Sequence, residues 1–262
     1  VNTVYRAFVI LILVFTPFIV KSQGEFKNWY FGNLNPLTSA AVTFNSGSPV
    51  AIPNGVVGKI TANVSDSAGN LLFVVGNNQV YNKNLAVMPN GCCLTYSGAS
   101  YSQPIIATQK PDDDSSYFIF YNGVINPINP NPLRYSIVNL RLNGGLGDIE
   151  SANKNIPIPG ATTAWVSVTG TRHGNNRDIW IVTTITYLDS IKYGSYLLTV
   201  GGLSSTPVLS QSFGDGIINS SPPLPPYMES PASIRISPDG TKLVACYPTK
   251  LEYCNFNPLT GL

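Results

Sequence analysis

Four times along the chain a short polar turn opens onto a run in which almost every residue is apolar. The runs are Leu71–Val75 (LLFVV), Tyr117–Tyr121 (YFIFY), Ile179–Thr183 (IWIVT) and Leu243–Cys246 (LVAC). A strand with one wet face alternates apolar and polar residues, whereas a strand covered on both faces is apolar throughout. Each run is four or five residues long, the length of a strand rather than a helix, and rich in β-branched and aromatic residues. The turn before the last run, Ser237-Pro238-Asp239-Gly240, states its own chemistry. Pro238 presets φ, Asp239 bonds its own backbone, and Gly240 takes a positive φ.

Each run sits inside a larger recurrence of strand, polar turn, apolar strand, longer loop and strand. In the first clear copy Ala62–Ser65 leads through 66–70 into Leu71–Val75 and then Gln79–Asn82. Pro104–Thr108, Tyr117–Tyr121 and Leu133–Leu140 form the second; Ala164–Val168, Ile179–Thr183 and Ser195–Val200 the third; Ser233–Ser237, Leu243–Cys246 and Leu251–Phe256 the fourth. Asn28–Gly32, Ala41–Phe44 and Val50–Ile52 read as a partial unit before them. A small sheet that must bury both faces needs a like neighbour on each side, and radial repetition supplies it without long exposed edges. The reading is all-β: a β-propeller of WD40/YVTN-like blades, with about four recognisable blades plus a partial one. The central runs start 46, 62 and 64 residues apart, so the repeat is not strict. Pro-rich stretches at 122–132 and 210–226 take up the excess as surface loops. The chain stops at Leu262, where another strand is due, so the propeller at 23–262 is expected to be truncated and to close with residues beyond.

Composition narrows the function. Only 11% of residues are charged and the net charge is +2; no Lys/Arg cluster appears along the sequence, which argues against a nucleic-acid partner. At the N-terminus Arg6 precedes the apolar run Ala7–Val20, broken only by Thr16 and Pro17. That run is short for a bilayer span, which takes about 20 residues, and fits the core of a signal peptide. Val20-Lys21-Ser22 supplies a cleavage site, so residues 1–22 are expected to be removed, leaving no membrane span and an extracellular or outer-surface protein. No Cys follows the apolar run before Cys92, which argues against a lipid anchor.

An exported chain can keep disulfides. Cys246 and Cys254 fall on neighbouring strands of one hairpin and are candidates to pair; Cys92 and Cys93 are adjacent, and a bond between neighbours is strained. Pairing is left open, and the spacing makes no zinc site. Asp112-Asp113-Asp114 is the one acidic run; it lacks the alternating ligands of a calcium loop and reads as a solvated turn. Asp66, Asp178 and Asp239 read as turn-forming residues. His173 is the sole histidine, with no Gly-x-Ser-x-Gly elbow to serve, so a structural role is expected. Glu25, Glu150, Glu229 and Glu252 stand in no distinctive setting for a glycosidase pair. Trp29, Trp165 and Trp180 are the candidates to stack on sugars, with Trp165 and Trp180 better read as core. No catalytic residue, metal ligand or cofactor is assigned, and the ligand-binding residues are unknown.

Several stretches together resemble a known family: Asn28–Gly32, Asp66–Phe73, Val80–Asn82, Val87–Gly91, Leu133–Val138, Gly144–Asp148 and Ser237–Leu243. In this order they look like the N-terminal propeller region of large surface proteins of gliding bacteria. Those proteins end in a gliding-motility-associated, type B sorting domain of type IX secretion. The resemblance implies export by that route and further domains beyond Leu262; it carries over no catalytic or ligand residues. The expected function is a secreted or cell-surface binding and scaffold module of a larger adhesin-like or gliding-associated protein, non-catalytic, with an extracellular protein or glycan as partner. The alternatives are a carbohydrate-active or other hydrolytic propeller and a purely structural spacer. N-terminal sequencing of the exported protein should begin at Gln23; recovery of Ala7–Val20 in the mature chain would reject the cleavage reading.

Overall fold

The computed structural model describes residues 28–31, 40–45, 48–52, 61–76, 78–95, 105–122, 132–161, 164–187, 190–211, 233–247 and 251–262. Residues 1–22 and the cores of both Pro-rich stretches lie outside the described residues. The strands are β1 (Asn28–Phe31), β2 (Ala40–Asn45), β3 (Ser48–Ile52), β4 (Thr61–Ser65), β5 (Leu71–Gly76) and β6 (Gln79–Asn82). They continue as β7 (Ile105–Gln109), β8 (Ser116–Asn122), β9 (Leu133–Asn139), β10 (Asp148–Ile149) and β11 (Ile156–Pro157). The rest are β12 (Ala164–Arg172), β13 (Ile179–Tyr187), β14 (Ser190–Thr199), β15 (Gly202–Leu203), β16 (Val208–Gln211), β17 (Ser233–Ile236), β18 (Lys242–Cys246) and β19 (Leu251–Asn255).

All pairings are antiparallel, and they make separate small sheets arranged as a β-propeller. Four blades follow one another: β4–β6, β7–β11, β12–β16 and β17–β19; the three-stranded sheet β1–β3 precedes them. The first strands β1, β4, β7, β12 and β17 neighbour one another in that order, so they form the inner wall. The four apolar runs are, as expected, the middle strands β5, β8, β13 and β18.

Alternation along the middle strands explains the stacking, because successive side chains leave a strand on opposite faces. Tyr117, Ile119 and Tyr121 of β8 join Phe73, Val75 and Val80 in one core, while Phe118 and Phe120 join Val168, Ile181 and Tyr196 in the next. On β13, Ile181 and Ile185 face back into that second core, and Trp180 and Val182 face forward to Ile234, Leu243 and Ala245. All seven residues of β8 are buried. β18 departs from the expectation of cover on both faces: Leu243 and Ala245 are buried but Cys246 is exposed. On the same face of the neighbouring β19, Leu251 and Tyr253 stand opposite Cys246 and Val244 and are 65% and 61% exposed.

Polar joints fix the blades in register. Asn28 on β1 donates to Ser65 Oγ at 3.0 Å and Gly69 O at 2.9 Å. Asp148 accepts both the backbone and the side-chain N–H of Asn90, at 2.8 and 2.7 Å. This joint brings together two stretches singled out by resemblance, Val87–Gly91 and Gly144–Asp148. Gly147 sits there at φ +83°, and a Cβ on it would stand 3.1 Å from Met88 Cε. The outer edge of two blades comes in pieces that sequence reading misses: β10 and β11 both pair with β9, and β15 and β16 both pair with β14. Among the described residues no helix is long and apolar enough to cross a membrane.

Ile181 is fully buried and Asn176 is exposed in the preceding turn. Ile181→Asp should therefore cost several kcal/mol by burying an unpaired carboxylate, whereas Asn176→Asp should stay within about 0.5 kcal/mol. Denaturant titration of the two variants checks this, and equal losses would contradict the blade register.

Candidate functional site

The four hairpins from first to middle strand whose turns are described, β4–β5, β7–β8, β12–β13 and β17–β18, turn at the same end of the propeller. An Asx side chain closes each turn, since a short polar side chain can replace a missing backbone partner. Asp66 Oδ1 accepts the N–H of Ala68 and Asn70 at 2.9 and 2.8 Å. Asp113 Oδ1 accepts Ser115 N–H and Oγ–H at 3.0 and 2.7 Å. Asp239 Oδ1 accepts Thr241 N–H at 3.1 Å. In the third turn the expectation is corrected: Asn175, not Asp178, is the closing residue, accepting Arg177 and Asp178 N–H at 3.0 Å each. Asp178 is buried behind it and accepts Asn175 Nδ2 at 2.7 Å and Arg177 Nε at 3.1 Å. Those bonds, with Arg177 first, hold its carboxyl below the usual range.

Between these turns and the inner strands lies a cavity of about 1330 Å³. Its walls are β7, β12 and β17, contributing Thr108, Gln109, Thr171, Arg172, Arg235 and Ile236, and its rim is made by the turns from Lys110 to Asp114 and at Asn176 and Arg177. Although the sequence holds no basic cluster, the fold gathers Lys110, Arg141, Arg172, Arg177 and Arg235 around this one space. Two of the five are engaged by carboxylates: Arg141 meets Asp114 at 3.4 Å, and Arg177 meets Asp178 at 3.1 Å and Asp112 at 3.9 Å. Among the described residues Lys110, Arg172 and Arg235 have no carboxylate partner. Arg172 donates to Asn176 O at 3.2 Å and Arg235 to Ile234 O at 3.4 Å. Partial burial of its guanidinium lowers the pKa of Arg235, although the residue as a whole is exposed to the cavity.

The acidic run is divided among separate tasks. Asp113 closes its turn, Asp114 faces Arg141 and Asp112 faces Arg177. Among the described residues no three His, Cys, Asp or Glu stand together to hold a metal ion. His173 is structural, as expected. Its Nδ1 accepts Asn175 N–H at 3.0 Å, which places the ring proton on Nε2, 3.1 Å from Leu259 O. Trp180 is core, as expected: it is 4% exposed and its indole N–H donates to Pro258 O at 2.8 Å. Trp29 and Trp165 lie on β1 and β12, with side chains outside the described residues, as are Glu25 and Glu229. Glu150 accepts Asn139 and Asn153 side chains at 3.0 and 2.8 Å. Glu252, buried in another blade, accepts the Tyr193 and Tyr247 hydroxyls at 2.8 and 2.9 Å. Burial above all, then the neighbouring Tyr247 and Glu252, raises the Tyr193 hydroxyl's pKa.

Cys246 stands opposite Leu251 and Cys254 opposite Leu243. The two cysteines are thus offset by three positions, about 10 Å along the strands, and on opposite faces of the sheet. They do not pair, and all four cysteines are free thiols here. Compared with known protein families, with curated proteins and with solved structures, the chain matches none.

Bonds from Ser115 first hold the Asp113 carboxyl down, from 3.8 to about 2. A depressed carboxylate contributes stability that is complete above its unfolded value and is lost as pH falls through its folded value. The β7–β8 turn should therefore loosen between pH 3.8 and about 2. Amide exchange at Ser115 across that range checks this. Asp113→Ala should abolish the transition, and Asp114→Ala, in an exposed ion pair, should leave it in place.

Proposed function

We propose that this chain is a secreted or cell-surface propeller that serves, without catalysis, as a binding and scaffold module of a larger adhesin-like or gliding-associated protein. Its ligand site is the cavity at the turn end, and its ligand is an acidic glycan. One observation carries the reading: Lys110, Arg172 and Arg235 come from three successive blades to a single cavity, and none has a carboxylate partner among the described residues. Cations without a carboxylate partner can pair with an anion that a ligand supplies, in charge-assisted hydrogen bonds. The space exceeds the few hundred to about 1,000 Å³ of a drug-sized pocket, which suits several sugar units. Thr108, Thr171, Gln109 and Asn176 around it supply neutral hydrogen-bonding groups for hydroxyls.

The non-catalytic part of the reading draws on how the polar groups are employed. The rim carboxylates are engaged in ion pairs and a turn, and His173 uses both ring nitrogens on backbone groups. The gliding-bacterial setting, the secretion route and the signal peptide rest on the sequence resemblance and the N-terminal apolar run.

Calorimetric titration with an acidic oligosaccharide, such as oligogalacturonate, and a neutral one of equal length tests this. The acidic ligand should bind more tightly and weaken with salt. Arg172→Ala and Arg235→Ala should each reduce affinity by roughly tenfold or more, as loss of a hydrogen bond to a charged group does. Equal binding of both sugars, or no effect of either substitution, would overturn the site. Turnover of the sugar that one Asp or Glu substitution abolishes would favour a hydrolytic propeller instead.

A further inference from the structure

After β6 the chain runs through a tight excursion that ends in Gly91-Cys92-Cys93-Leu94. Both ends of this segment are fixed. Gly91 O accepts Val80 N–H at 2.8 Å, and Leu94 N–H donates to Asn78 O at 3.0 Å. Gly91 has no room for a side chain: a Cβ on it would fall 2.5 Å from Val80 O. Leu94 is 2% exposed in the core shared with the next blade. The two cysteines are therefore the crest of a clamped turn. From the other side Asn155 holds them, its Nδ2 donating to Cys93 O at 3.1 Å and its Oδ1 accepting Thr95 N–H at 2.9 Å. Asn155 is itself pinned, accepting the Tyr121 hydroxyl at 2.6 Å and donating its backbone N–H to Ser136 Oγ at 2.9 Å.

Within this clamp Cys93 adopts φ +63°, a conformation that residues other than Gly, Asn and Asp seldom take. A residue stays there only when its surroundings over-determine it. The result is that the two sulfurs lie 2.7 Å apart, within an ångström of the ~2.05 Å of a covalent S–S bond. Cys93 is exposed and Cys92 half-buried, so an oxidant can reach them. No third metal-ligating side chain joins them among the described residues.

We propose that Cys92 and Cys93 are a redox modification site that closes to a vicinal disulfide, with a small-molecule or protein disulfide as oxidant. One cysteine thiolate attacks the oxidant's S–S bond, giving a mixed disulfide and releasing the first oxidant thiolate. The neighbouring thiolate then attacks the protein sulfur of that mixed disulfide and expels the second. Two S–H bonds are lost from the protein and one S–S bond forms; two electrons and the two protons end on the oxidant, now two thiols. Adjacent Cα atoms are 3.8 Å apart, closer than the usual disulfide range of about 4.4–6.8 Å. The bond is accordingly readily reduced, and the site is a reversible one rather than a permanent staple. Cys246 and Cys254, on opposite faces of their sheet, take no part.

The test treats the reduced, folded protein with oxidised glutathione and counts thiols, alongside the same reaction in denaturant. The count should fall from four to two, and the tryptic peptide beginning at Asn84 should lose two hydrogens without gaining glutathione. Closure should be about tenfold faster, or more, in the folded chain, because the fold holds the reacting atoms together. Cys92→Ser and Cys93→Ser should each stop at the mixed disulfide. Four surviving thiols, a bond involving Cys246 or Cys254, a disulfide between chains, or equal rates folded and denatured would each overturn the proposal.

Discussion

The structure depends on one constraint: a blade is too thin to bury much by itself, so the three large cores among the described residues each lie between two blades. A single strand must therefore serve two cores at once. β8 does this most fully, sending Tyr117, Ile119 and Tyr121 one way and Phe118 and Phe120 the other. Each large side chain buried in this way contributes roughly 1.5–3 kcal/mol, against a backbone and side-chain entropy cost that a three-stranded sheet alone does not meet. Stability is thus a property of neighbours, as in other repeat architectures.

Polar groups cluster on the same seams and set the blades' relative position. The Asn28–Ser65, Asn90–Asp148 and Thr95–Asn155 contacts each join segments more than thirty residues apart. Near the C-terminus, Gly261 lies so close to the Trp180 ring that a Cβ would fall 2.8 Å from it, and the indole N–H bonds Pro258 O. The last described turn therefore covers the preceding blade. With the blade faces committed to packing, the groups free to meet a ligand are those at strand ends and turns. The cavity lined by Arg172 and Arg235 is such a place, and the Cys92–Cys93 crest is another.

The sequence discloses the middle strands because burial on both faces writes an unbroken apolar run, and it discloses the turns because Asp, Asn and Gly have few other uses at those positions. His173 is legible as structural from the turn around it. The outer strands β10, β11 and β15 are not legible: two residues carry no period, and their pairing with β9 and β14 is set by tertiary contact. The Asn175-for-Asp178 exchange is missed because both residue types fit the same turn, and only the register of β12 on β13 decides between them. The cationic cavity is missed for a related reason. Lys110, Arg172 and Arg235 each fall within two residues of a first strand's end, a signal visible unit by unit, but their convergence requires the blades to be stacked.

The central claim is that blades are held by side chains meeting across sheets. Phe73 of β5 and Tyr117 of β8 belong to different sheets and meet edge to face, with ring centroids 5.5 Å apart and an interplanar angle of 75°. The most direct measurement is a double-mutant cycle on this pair, with Phe73→Leu, Tyr117→Leu and the double variant unfolded in denaturant. The account predicts a coupling energy of about 0.5–1.5 kcal/mol, the value of an aromatic pair beyond its buried area. Strictly additive losses would mean that the two rings do not meet, and would contradict the stacking of the blades described above.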